Sequence, residues 1–126
     1  MGQGTLVEMQ IDGGKALVDS LRNAGFDVTV SGWTETSEEG DWYLYIASKD
    51  VDDRGLAGAY QTVYITIRAN PEFGIDPFEV KLIGQNNPIA TDMLAIRGAG
   101  GARIATRSRR PKLGHMSVEE TYVYAP

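Results

Sequence analysis

The chain has 126 residues, no cysteine and a net charge of −5, with 42% hydrophobic and 23% charged side chains. That size and balance describe one α+β-sized globular domain spanning residues 1–126, able to bury a core without disulfides or metal, and they exclude a disordered chain. The lack of cysteine removes thiol catalysis, disulfide frameworks and cysteine-based zinc sites.

The opening Met1-Gly2-Gln3-Gly4 carries neither the basic region nor the hydrophobic stretch of a signal peptide. It matches the start of a myristoylation signal, but Leu6 stands where Ser or Thr is required. No apolar run approaches the roughly 18 residues that span a bilayer. A soluble, cytoplasmic protein without a membrane partner is therefore expected.

The first helix is expected from Asp12 to Ala24, with Asp12 as N-cap, Leu17, Val18 and Leu21 on one face, and Gly25 as the stop. Phe26, Val28 and Val30 then alternate with polar residues, the period of a half-buried strand. Ser37-Glu38-Glu39-Gly40-Asp41 reads as a hairpin turn, and Trp42 to Ala47 as the returning strand. A long helix follows from Asp52 to Ala69, because Leu56, Ala59, Tyr60, Val63, Tyr64 and Ile67 recur at the spacing of one buried face. Pro71 ends it. Phe78 to Ile83 alternates as a third strand, and Pro88 to Ile96 forms a short helix broken by Gly98, Gly100 and Gly101. Arg103 to Thr106 and Val118 to Tyr124 close the chain as two strands. The order α-β-β-α-β-α-β-β predicts an α+β fold: a single-layer, mostly antiparallel sheet with helices packed on one face.

The segments GKALVDSLRNAGFDV, DWYLYIAS, VDDRGLAGAY, NPI and VEETYVY together resemble a family of small uncharacterised bacterial proteins. In that family a helix ending in a Gly-Phe pair leads into a Trp-containing hairpin, a VD-x-x-G helix start follows, and a Tyr-rich strand ends the chain. The resemblance implies a single α+β domain and no particular activity. The basic segment Arg107-Ser108-Arg109-Arg110-Pro111-Lys112 departs from the family's tail.

Charge is unevenly spread. Residues 1–96 carry −9, residues 97–118 carry +6 with no carboxylate, and Glu119 and Glu120 bring the total to −5. The acidic bulk repels phosphate, whereas the basic stretch could engage it.

No motif for catalysis stands out. His115 is the sole histidine and, between Gly114 and Met116, is expected to be a surface turn residue rather than a general base or ligand. Asp50, Asp52 and Asp53 could hold a hard cation, but carboxylates ahead of a helix more simply cap its free N–H groups. Gly98-Ala99-Gly100-Gly101 lacks the lysine and following helix of a phosphate-binding loop. No cofactor or metal is implied.

The pleat offers the strongest surface signal. If Phe26, Val28, Val30, Leu44, Ile46, Val80 and Leu82 face the helices, then Trp33, Tyr43 and Tyr45 point the other way. Lys81, Arg103, Arg107 and Tyr122 or Tyr124 could join them. An open face of aromatics and cations suits self-association, and the expected function is a non-enzymatic binding or structural module that forms a homo-oligomer through it. Two alternatives remain. One is a nucleic-acid-binding module that stacks bases on Trp33, Tyr43 and Tyr45 and holds phosphates with Arg103, Arg107, Arg109, Arg110 and Lys112. The other is an enzyme with an acidic site near Asp50–Asp53, and a small ligand is left open.

Overall fold

A computed structural model describes residues 6–101 and 103–126. Helix α1 (Glu8–Asn23) leads through a loop to strands β1 (Val30–Thr36) and β2 (Trp42–Ser48), then to helices α2 (Lys49–Arg54) and α3 (Leu56–Ala69). Strand β3 (Val80–Gly84), helix α4 (Pro88–Ala99) and strands β4 (Thr106–Ser108), β5 (Lys112–Leu113) and β6 (Met116–Val123) complete the order. The α+β class read from the sequence holds. No helix among the described residues is long and apolar enough to cross a membrane.

The sheet runs β3-β2-β1-β6-β4, with β5 paired to β6 off this path. It is mixed, not mostly antiparallel: β2 and β3 are parallel, and the other pairs are antiparallel. The reason is the long crossover. The connection through α2 and α3 is long enough to return the chain to the starting end of β2, which a parallel neighbour requires.

The helices occupy both faces, which corrects the one-sided arrangement expected above. Leu17, Val18 and Leu21 of α1 and Ala59, Val63 and Ile67 of α3 pack with Trp33, Leu44, Ile46, Val80 and Leu82 in one core. Ala90, Met93 and Ile96 of α4 pack with Val30, Tyr45, Ala47, Leu113, Val118 and Val123 in a second. The register explains the division, since Trp33 lies opposite Leu44 and Val30 opposite Ala47, and directly paired residues share a face.

Several boundaries move for local reasons. α1 begins four residues before Asp12, where the Gln10 side chain accepts the Val7 N–H at 3.2 Å. Phe26 and Val28 are buried, yet they belong to the loop before β1. The expected helix 52–69 is broken at Gly55, whose φ of 85° favours glycine. The cap of α2 is Ser48, whose hydroxyl accepts the Asp50 N–H at 3.0 Å, so Asp52 and Asp53 lie within that helix rather than ahead of it. Phe78 sits in a 3-10 turn before β3, and the strand expected at 103–106 falls instead at Thr106–Ser108.

Candidate interaction surfaces

Trp33 is 0% exposed and Tyr45 only 9%, so neither belongs to an open platform. Trp33 Nε1 donates to the Tyr124 hydroxyl at 2.9 Å, and that hydroxyl donates onward to the Ile11 carbonyl at 2.6 Å. The indole is thus the polar anchor of the larger core. Burial, first among several influences, pushes the Tyr124 phenol far above its usual range, so it stays neutral as a donor.

Tyr45 and Tyr43 do face away from Trp33, on the α4 side. The Tyr45 hydroxyl reaches Met116 Sδ at 3.3 Å and closes over the smaller core. Tyr43 is half-buried, with the Lys81 ammonium 4.7 Å from its ring centre and its hydroxyl donating to Glu39 at 2.8 Å. That bond, reinforced by burial, raises its pKa to about 12.

Lys81 does join Tyr43, but the arginines do not gather beside Trp33, Tyr43 and Tyr45. β4 is separated from β2 by β6 and β1. Arg107 pairs with Glu120 at 3.0 Å and lies over the Tyr122 ring at 5.2 Å. Arg110 reaches Asp92 on α4 at 3.1 Å. Arg103 and Arg109 are exposed, as is Lys112. A stacking surface continuous with a phosphate-binding surface is therefore not assembled from Trp33, Tyr43, Tyr45 and the arginines.

The acidic cluster is used internally. Asp50 accepts the Asp27 N–H at 2.9 Å and Asp52 the Gln85 N–H at 3.1 Å, while Asp53 is exposed. Among the described residues no group of three metal-binding side chains comes together. His115 is exposed in the β5–β6 hairpin. It borders a shallow depression with Thr36, Glu38 and Glu39, where Glu39 is already engaged by Tyr43.

A different surface does emerge, and it includes Leu56 and Tyr64, which the helical spacing assigns to the buried face. Leu56, Tyr64 and Ile65 on α3 are 48%, 47% and 59% exposed, and Phe78 is 86% exposed. Tyr60, Val63, Tyr64, Pro77, Phe78 and Val80 line a groove of about 650 Å³ between α3 and β3. Arg68 folds back over this surface, 5.5 Å from the Tyr64 ring centre. Its signal in the sequence is the charge content of α3: LAGAYQTVYITIRA contains one charged residue, Arg68. A solvent-facing helix normally carries a charged outer stripe.

No family model, no curated protein and no solved structure matches the chain. The resemblance to small bacterial proteins rests on its motifs alone.

Proposed function

We propose that the protein is a non-enzymatic binding and structural module that pairs with a second copy of itself through the outer surface of α3, not through a face of its sheet. The observation that carries this reading is the nearly uncharged α3, with Leu56, Tyr64 and Ile65 exposed and Tyr64 sharing a groove with the exposed Phe78. The Tyr64–Phe78 groove, with further apolar side chains exposed on the same helix, is the kind of surface that marks association sites. Charge supports the same occupant. A two-fold axis perpendicular to α3 would set it antiparallel to its copy and bring Arg68, in its last turn, toward the partner's Asp53, exposed in α2 just before the other end of the helix. A chain without cysteine needs no oxidising compartment, which supports a cytoplasmic setting.

Sedimentation equilibrium tests the reading. The native chain should dimerise at about 100 μM, and Ile65→Asp should shift it to monomer while matching the native melting temperature in dilute solution, where both are monomers. A native chain that stays monomeric at that concentration overturns the proposal. So does an Ile65→Asp variant that remains dimeric.

A further inference from the structure

The two edges of the sheet are finished differently. At β3, the Tyr60 hydroxyl accepts the Leu82 N–H at 3.0 Å and donates to the Val80 carbonyl at 3.3 Å. A side chain thereby takes the place of a neighbouring strand and closes that edge. At β4, among the described residues, pairing exists only on the β6 side. Its outer main-chain groups face away from the sheet, and an unpaired edge is a template for strand addition.

The sequence around that edge is basic. Residues 97–118 carry six cations and no carboxylate. Arg107 and Arg110 are held by Glu120 and Asp92. Arg103, Arg109 and Lys112 are exposed and enter no ion pair among the described residues. Pairing of β4 with its own copy would set like charges against each other across the strands, which is destabilising. An acidic strand meets the same cations favourably.

We propose that the β4 edge docks an extended acidic segment of a partner protein by strand addition, with Arg103, Arg109 and Lys112 facing its carboxylates. Main-chain geometry favours a polypeptide over a nucleic acid. A strand edge presents N–H donors and C=O acceptors alternately, a pattern another polypeptide strand matches and a sugar–phosphate backbone, with no N–H donor, does not. The nearest aromatic, Tyr122, already lies beneath the Arg107 guanidinium, so it is not free to stack a base. The paired stretch is only Thr106–Ser108, and Pro111 lies three residues beyond it, so binding is short-ranged and strongly dependent on charge.

The probe is a labelled peptide of alternating glutamate and valine, followed by fluorescence anisotropy. Saturable binding is expected at about 50 mM salt, weakening roughly tenfold at about 300 mM as screening shortens. The Arg109→Glu/Lys112→Glu double variant should lose binding with its melting temperature little changed, because both side chains are exposed and enter no ion pair among the described residues. Hydrogen exchange at the amides of Thr106–Ser108 should slow on binding, a readout that charge attraction alone would not move. The Ile65→Asp variant should bind the peptide normally, which separates this surface from the one on α3. Binding without slowed exchange at Thr106–Ser108 overturns the proposal. Binding that survives the charge reversal does so too, as does tighter binding of labelled single-stranded DNA than of the peptide.

Discussion

The face of the sheet under α1 and α3 is built around a tryptophan; the face under α4 is built around a methionine. On the first face, Gly14 of α1 lies against Trp33 and Tyr124, and the indole, phenol and Ile11 carbonyl form one chain of hydrogen bonds. On the second, Met93 lies over Gly32 of β1, and α4 covers β1, β6 and β4 while leaving Tyr43, Lys81 and Ile83 half-buried. The difference shows how one sheet supports two cores of unequal rigidity. A buried aromatic with a fixed polar partner accepts few arrangements, whereas methionine adapts to an irregular gap.

Truncation should expose that inequality most strongly. Trp33→Ala is expected to cost about 3–5 kcal/mol, from lost packing and from the Tyr124 hydroxyl left without its donor. Met93→Ala should cost about 2–3 kcal/mol, within the range for a buried methionine but toward its low end. Chemical denaturation of both variants checks this. A Met93→Ala loss equal to or larger than that of Trp33→Ala would break the comparison and make the α4 face the dominant core.

Glycines sharpen the comparison at a smaller scale. A Cβ on Gly14 would stand 2.4 Å from the Tyr124 hydroxyl and 2.8 Å from Trp33 Nε1, both held in place by their mutual bond. Gly14→Ala should therefore cost about 1–3 kcal/mol by overpacking. Gly98 of α4 has nothing within 4 Å of a built Cβ. Gly98→Ala should instead stabilise by about 0.5–1 kcal/mol, through lower unfolded-state entropy and better helix propensity. Thermal melts of the two alanine variants should move in opposite directions. A stabilised Gly14→Ala would mean that α1 packs more loosely than the Trp33–Tyr124 contact implies.

These two faces also mark where the sequence could be read and where it could not. Helical periodicity located α1 and α3, Pro88 and the following glycines located α4, and the polar run 37–41 located the hairpin, because each signal is local. Side assignment failed at Trp33 because β1 is buried from Val30 through Thr34 without a break. Alternation tells inside from outside only when one face meets water. With helices on both faces, Trp33 and Val30 both look like core, and nothing in the local pattern says which helix each one meets. Tyr64 and Leu56 show the converse. Their spacing matched a buried stripe, yet only Ala59, Val63 and Ile67 are buried, with Tyr60 partly so. A helix apolar all round does not disclose which side is covered. The break at Gly55 was marked in the sequence by the glycine itself, but the helical period runs across it.

The smallest expected effect lies at the open end of the α1 face, beyond the helices. Glu35 of β1 stands directly opposite Glu120 of β6, and Glu120 is already paired with Arg107. Burial first, and then the charges of Glu119 and Glu120, raise the Glu35 carboxyl above its ordinary value of 4.5. A carboxyl whose pKa is raised by folding favours the folded state in its protonated form. That contribution is fully present below the unfolded value and is lost as pH rises through the higher folded one. At neutral pH the ionised Glu35 is therefore a mild liability. Glu35→Gln keeps the shape and removes the charge, so it should raise the melting temperature at pH 7 by a degree or two at most. The advantage should shrink as pH falls below 4.5, where the native carboxyl is itself protonated. Glu120→Gln should do the reverse at pH 7, because it strands Arg107. Melting curves of the two glutamine variants at pH 7 and near pH 4 resolve the matter. Equal melting temperatures for native protein and Glu35→Gln at pH 7 would show that solvent screens the Glu35–Glu120 pair completely, so that the end of the α1 face is as open to water as the exposed loops.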